Sequence, residues 1–238
     1  KKCLNIGSGP GWYHPEYITI DAVENKNSPQ SIIQDLVKNP KLPFDDNSFF
    51  GIYSSHCLEH LTEKDLNFSL AECKRILKPN GALRISVPNI RLFFEAYEEN
   101  DMKFMSWIKD SEYYKYDSWL RIISRMIYEP VVNYLSDDEL LEIYKKSNRY
   151  NDFCNHLINK SKELDLENVK KEYFFPDNHK NFFDEDKIKE TLLNAGFKNI
   201  EITPPRKSGY SYFQNTKNFK NCFDATRPHM SLYVECNK

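Results

Sequence analysis

Three glycines at alternate positions, Gly7, Gly9 and Gly11, close a short apolar run, and a second run, Ile18-Thr19-Ile20, ends on the carboxylate of Asp21. Glycine lets the backbone turn with φ > 0 and approach a ligand where a Cβ would stand in the way. A carboxylate at the end of the next strand accepts hydrogen bonds from both hydroxyls of a ribose, as in nucleotide-binding α/β sheets. Trp12 stands where a dinucleotide fingerprint needs its third glycine, which argues against a G-x-G-x-x-G fold. A glycine-rich turn without a ligand has the same local sequence, so the turn alone leaves both readings open.

Other reactive side chains sit at the ends of apolar runs. Asp35 with Leu36 ends the third, and Ser55-His56 ends the fourth. His56 and His60 are four apart, a spacing at which two imidazoles share a metal on a helix. The order is H-C-L-E-H rather than H-E-x-x-H and no third ligand is evident, so no metal is expected. His179, flanked by Asp177 and Asn178, is the first candidate for a general base, ahead of His56 and His229. Arg206 and Arg227 are candidates to hold a phosphate or carboxylate. Six cysteines without a C-x-x-C pair, four of them in apolar runs, read as reduced core residues of a cytosolic protein.

The elements that must position these groups alternate. Strands are predicted at 2–6, 17–21, 31–36, 50–55, 82–88, 197–203 and 230–236. A helix opens at Thr62, with Leu66, Leu70, Cys73 and Leu77 on one face, and Lys78-Pro79-Asn80-Gly81 stops it. Only about a dozen residues separate the first two strands, so the first crossover helix is shrunken or missing. From Asn89 to Phe183 no strand pattern occurs. That stretch is rich in aromatics (Phe93, Phe94, Tyr97, Trp107, Tyr113, Tyr114, Tyr116, Trp119) and reads as a helical insertion between two parts of an α/β core, 1–88 and 184–238. Asp184 caps a helix with Ile188, Leu192 and Ala195 on its face, and Gly196 ends it.

At 238 residues the chain supports one domain with a large insertion. A net charge of −2 gives no footprint for a phosphate backbone, so nucleic acid is not an expected partner. A mean hydropathy of −0.69 and the absence of a long apolar run exclude a helical membrane span. The opening Lys-Lys leads directly into a strand, not a secretory leader, and the expected location is cytoplasmic.

Three further motifs make the pattern specific: Leu42-Pro43-Phe44-Asp45-Asp46-Asn47-Ser48-Phe49, Tyr53 to Leu61, and Arg75-Ile76-Leu77-Lys78-Pro79-Asn80-Gly81. With the glycine turn, their order resembles class I S-adenosylmethionine-dependent methyltransferases. The type 11 group matches best, in its small-molecule branch of sugar and polysaccharide gene products. Asn178 to Phe183, Leu193 to Phe197 and Ser231 to Glu235 also resemble that branch. The resemblance spans 2–90 and 177–236. It implies a Rossmann-like class I methyltransferase fold, an α/β seven-stranded sheet, mostly parallel with an antiparallel last strand, plus the helical insertion after strand five. Many relatives carry an acid two residues before the first glycine, where this chain has Asn5.

The resemblance also implies S-adenosyl-L-methionine as cofactor. Gly7, Ser8 and Gly9 would lie against its methionine part, Asp21 on the ribose, Asp35 and Leu36 at the adenine, and Ser55 and His56 by the methionine moiety. Strand four ends Ser-Ser-His rather than Asn/Asp-Pro-Pro-aromatic, which argues for an oxygen acceptor over an exocyclic nitrogen and against DNA. The function expected is O-methylation of a small sugar- or phosphate-bearing precursor of a surface polysaccharide (capsule or lipopolysaccharide). The catalytic residues would be His179 and His56, and Arg206, Arg227 and His229 would contact the acceptor. The insertion, 89–183, is expected to be a lid that determines the acceptor. The alternative is a non-catalytic binding or scaffold protein on the same fold.

Overall fold

The computed structural model describes residues 2–101, 103, 104, 106, 117–166, 177–214 and 228–238. They form two compact units, one of 1–88 with 185–238 and one of 89–184.

In the first unit seven strands form one sheet: β1 (Cys3–Ile6), β2 (Tyr17–Asp21), β3 (Ser31–Ile33), β4 (Phe49–Ser55), β5 (Leu77–Pro88), β6 (Lys198–Ile202) and β7 (Ser231–Asn237), in the order β3-β2-β1-β4-β5-β7-β6. β1 to β5 pair parallel, and β7 runs antiparallel to both β5 and β6. This is the seven-stranded, mostly parallel Rossmann-like sheet with an antiparallel last strand. The order reverses at β1/β4, and in open α/β sheets ligands bind beyond the carboxyl ends of the strands at such a reversal.

No helix lies between β1 and β2, nor between β2 and β3. The short crossovers allow none, and aromatic side chains fill the space on that face. Trp12, Tyr17 and Tyr53 are buried together with Cys3, Ala82 and Phe213, and Tyr210 and Tyr212 pack against them. A Cβ on Gly51 would land on the Tyr212 ring, so glycine here serves close packing. Strand alternation and register place Thr19, Asn5, Tyr53, Arg84 and Glu235 in one row across this face. Arg84 is fully buried, its Nη1 donating to Glu235 (2.7 Å), Thr203 Oγ1 and the Lys207 carbonyl.

On α1 (Glu63–Ile76) the Thr62 hydroxyl accepts the Asp65 N–H, the N-cap expected from sequence, and Leu66, Leu70, Cys73 and Ile76 are buried. Strand β5 begins at Leu77 rather than at Ala82, with no separate loop before it. The stop signal is nonetheless expressed inside the strand: Asn80 has φ +60, and pairing with β4 jumps from Phe49–Leu77 to Gly51–Ala82, so 78–81 bulges out of the ladder. The third strand ends at Ile33, short of the expected Leu36, because Asp35 diverts the chain into a turn. Gly196, with φ +79, ends a helix at Glu185–Asn194: its N–H donates to Leu193 and that of Phe197 to Leu192, a Schellman closure.

The second unit is built mainly from helices over its described residues. It contains α2 (Ile90–Glu98), α3 (Trp119–Val132), α4 (Asp137–Lys146) and α5 (Tyr150–Glu163). Phe94, Tyr144 and Phe153 make edge contacts, as do Tyr97 and Tyr144, and a small core results. The two ends of the unit meet, Asn89 bridging Phe183 and the Ile90 N–H donating to Phe183. Trp107, Tyr113, Tyr114 and Tyr116 lie outside the described residues.

Candidate functional site

The glycine turn follows β1, and it is tied to β2 rather than to a helix N-terminus. The Gly7 N–H donates to the Ile20 carbonyl (2.9 Å), and the Gly9 N–H donates to Asp21 Oδ2 (2.8 Å). Asp21 Oδ1 accepts the Val23 N–H (3.1 Å), so each carboxylate oxygen has one backbone partner. Asn25 closes the turn from below, its amide donating to the Trp12 carbonyl (2.7 Å) and to Ser8 Oγ (3.4 Å). The glycines have different reasons to be glycine. Both have positive φ, +70 at Gly7 and +63 at Gly9. A Cβ on Gly7 would strike the Cys57 side chain, whereas one on Gly9 would meet nothing within 4 Å. Gly7 therefore serves packing, and Gly9 leaves open space above the turn. Asn5, at the position of the missing acid, is buried, and its Oδ1 has no hydrogen-bond partner.

Asp35 caps the turn after β3. Its Oδ1 accepts the N–H groups of Val37 (2.9 Å) and Lys38 (3.2 Å), and Lys38 Nζ stands 3.3 Å from Oδ2. Burial pushes its pKa up, but the Lys38 and Val37 N–H groups and the Lys38 ammonium outweigh it and hold the carboxyl below its ordinary value. Leu36 is half-buried, while Val23, Ile33 and Val37 expose apolar surface around these two acids.

His56 follows β4 in the left-handed region, φ +49, with its N–H on the Ser86 carbonyl (2.8 Å). That turn swings the imidazole to the start of β7: Nε2 lies 2.7 Å from Ser231 Oγ, and Nδ1 lies 3.3 Å from the Glu59 carboxylate. Glu59 is 1 % exposed. A carboxylate only accepts, so this neighbour favours the proton on Nδ1, and Ser231 then donates to Nε2. The buried hydroxyls of Ser55 and Ser86, neighbours in the β4–β5 register, have no partner. Glu59 and Ser231 were not singled out from sequence. Glu59 carries a local signal, three residues after His56, but Ser231 is 175 residues away and no spacing reveals it.

Beside Gly7, burial, then the Glu59 and Asp21 carboxylates, push the Cys57 thiol up to about 12. Among the described residues the cysteines are free thiols.

The remaining expected residues are dispersed. His229, exposed, lies in the short turn before Ser231, and Arg206, exposed with φ +59, follows β6. Arg227 lies outside the described residues. His179 belongs to the second unit, where its Nδ1 is 3.1 Å from the Met126 carbonyl. The same unit contains Asn178, whose buried Oδ1 has no partner. No helix among the described residues is long and apolar enough to cross a membrane.

Among solved structures the chain is similar to an S-adenosylmethionine-dependent methyltransferase of Archaeoglobus fulgidus (15% identity, 100% of this chain and 86% of that one, TM-score 0.45). It is also similar to a possible histamine N-methyltransferase of Thermotoga maritima (13%, 100% and 82%, TM-score 0.48). A third is a phosphoethanolamine N-methyltransferase of Haemonchus contortus, seen with S-adenosyl-L-methionine (12%, 100% and 48%, TM-score 0.44). Likenesses this distant bear on neither fold nor function. No curated protein matches the chain. The family model described as a methyltransferase domain matches residues 4–85, the segment that carries the glycine turn, Asp21 and His56.

Proposed function

We propose that this chain is an S-adenosylmethionine-dependent O-methyltransferase whose acceptor is a small sugar- or phosphate-bearing precursor of a surface polysaccharide, and that it works in the cytoplasm. The observation that carries an oxygen acceptor is the Ser231–His56–Glu59 contact at the carboxyl edge of β4 and β5.

The cofactor fits the residues present. Asp21 retains a second lone pair on each oxygen for the ribose hydroxyls, the space above Gly9 admits the methionine moiety, and the orphaned Asn5 Oδ1 is an acceptor suited to an ammonium. Val23 and Val37 offer apolar surface for a base. At Asp35 the turn occupies Oδ1 and leaves Oδ2 beside Lys38, open to a ligand. When bound, the cofactor supplies an electrophilic methyl group on a sulfonium, so the protein's share of the work is positioning and proton removal. Ser231 Oγ would take the acceptor's hydroxyl proton while passing its own to His56 Nε2, and Glu59 would stabilise the imidazolium so formed. Removing such a base costs ~10²–10⁴ in rate. His179, the first candidate from sequence, is also proposed as a base, Arg206, Arg227 and His229 are proposed acceptor contacts, and the insertion 89–183 is proposed to select the acceptor.

Incubation with methyl-labelled cofactor and a panel of nucleotide-linked sugars tests the proposal. The expected product is an O-methyl ether formed by the native chain and at least a hundredfold more slowly by His56→Ala. Transfer to amines alone would refute the oxygen assignment. Cofactor binding without transfer to any acceptor would favour the scaffold reading.

A further inference from the structure

The loop that follows β3, residues 34–41, is closed by one side chain. Gln34 is buried, while the other residues of the loop are half-buried or exposed. Its Nε2 donates to the Asn39 carbonyl (2.6 Å) and to the Lys41 carbonyl (2.9 Å). Carbonyls only accept, so both amide hydrogens go to the far end of the loop. The Gln34 backbone N–H donates to the Asp21 carbonyl (2.7 Å), one step beyond the last β2–β3 pair. The far end is fixed in turn by α1. The Leu42 N–H donates to Glu72 Oε2 (2.8 Å), and the Leu42 carbonyl accepts from Arg75 Nη2 (3.0 Å). Gln34 thus ties the end of β2 to a point anchored on α1, across a loop that has neither strand nor helix of its own.

Asp35 is the next residue, so its orientation depends on that closure. The Asn39 N–H donates to the Asp35 carbonyl (2.8 Å), and Asp35 Oδ1 accepts the Val37 and Lys38 N–H groups. Oδ2 is left with Lys38 Nζ at 3.3 Å, on a side chain 84% exposed, where water screens the pair. We propose that Gln34 is a positioning residue: by closing the loop it holds Asp35 Oδ2 toward the 6-amino group of the cofactor's adenine, and so sets the choice of adenine over a 6-oxo purine. An amino group donates to a carboxylate, whereas a 6-oxo group only accepts and sets its lone pairs against those of Oδ2. The discrimination exists only while Oδ2 is held in place. That a cofactor's adenine lies there rests on the proposed function. The closure of the loop does not.

Titration calorimetry of the full chain with S-adenosylhomocysteine and with S-inosylhomocysteine, its 6-oxo analogue, tests the role of Gln34. The native chain should prefer the adenosyl compound by at least about tenfold, because the 6-oxo base leaves two acceptors facing each other. Gln34→Leu keeps the bulk and removes both donors, and the exposed Asn39 and Lys41 carbonyls turn to water. It should narrow the preference to a few-fold or less by weakening the adenosyl compound, and hydrogen exchange at the Val37 and Lys38 amides should quicken in the unliganded variant. Gln34→Glu, of the same shape but without a donor, should do the same, and decides the matter if Gln34→Leu does not fold. Equal weakening of both ligands, an unchanged preference, or unchanged exchange would overturn the proposal. A native chain that binds both ligands alike would also overturn it and leave the proposed function standing. A native chain that binds neither would refute the proposed function and this inference with it.

Discussion

Asp21→Ala separates the two roles that the structure gives this carboxylate. The side chain accepts the Gly9 N–H at 2.8 Å and the Val23 N–H at 3.1 Å, bonds that hold the turn after β1 and the exit from β2. A hydrogen bond to a charged acceptor contributes about 1.5–3 kcal/mol, or ~3–6 kcal/mol for the pair. Asp21 is half-buried, so water replaces much of what is lost, and roughly 1–3 kcal/mol should remain as destabilisation. For a chain of this size each kcal/mol lowers the melting point by about 2–4 °C, so thermal denaturation should show a drop of roughly 2–12 °C with the fold retained. Affinity for S-adenosylhomocysteine should fall by at least about tenfold, equivalent to ~1.4 kcal/mol. The assay is titration calorimetry on the folded variant, with the circular dichroism spectrum as control. An unchanged melting point would mean that the carboxylate does not hold the turn. An unchanged affinity would mean that it does not meet the ribose.

Gly51→Ala drives a methyl into the Tyr212 ring. Overpacking of this kind costs about 1–3 kcal/mol, and an unaltered urea midpoint would show that the aromatic cluster does not seal this sheet face. Glu72 gives a pH dependence. Its carboxyl is held below the ordinary 4.5 first by the Arg75 hydrogen bond, with burial opposing and the Leu42 N–H assisting. A depressed folded pKa adds stability above the unfolded value and loses it as pH falls through the folded one. Glu72→Gln should therefore be less stable than the native chain at neutral pH, with the gap closing below about pH 4.5. Denaturation midpoints across pH 3–7 measure this; a gap independent of pH would contradict it.

The succession of strands along the chain, the missing first crossover helix, the Thr62 cap and the Gly196 stop were legible because each is written in local residues: apolar runs, a capping hydroxyl, a glycine where φ turns positive. The turn 78–81 was legible too, but not that it would sit inside a strand, because the bulge depends on pairing with β4. At the site, Asp21 was legible from its place after Ile20. The pairing of Ser231 with His56 was not, since it arises only when β7 returns antiparallel beside β5. Gly7 and Gly9 look alike in sequence and differ only by what stands over them, Cys57 or open space. Asp35 shows another limit: the sequence placed it at a strand end, whereas β3 stops at Ile33 and the Asp35 Oδ1 holds the turn that follows.

The most direct test of the account is titration calorimetry of the native chain with S-adenosylhomocysteine, with a nicotinamide dinucleotide as the comparison ligand. A site built from the Gly9 turn, Asp21 and Asn5 predicts saturable one-to-one binding of S-adenosylhomocysteine that weakens in Asp21→Ala, and none of the dinucleotide. No binding at millimolar S-adenosylhomocysteine, or preferential binding of the dinucleotide, would contradict it.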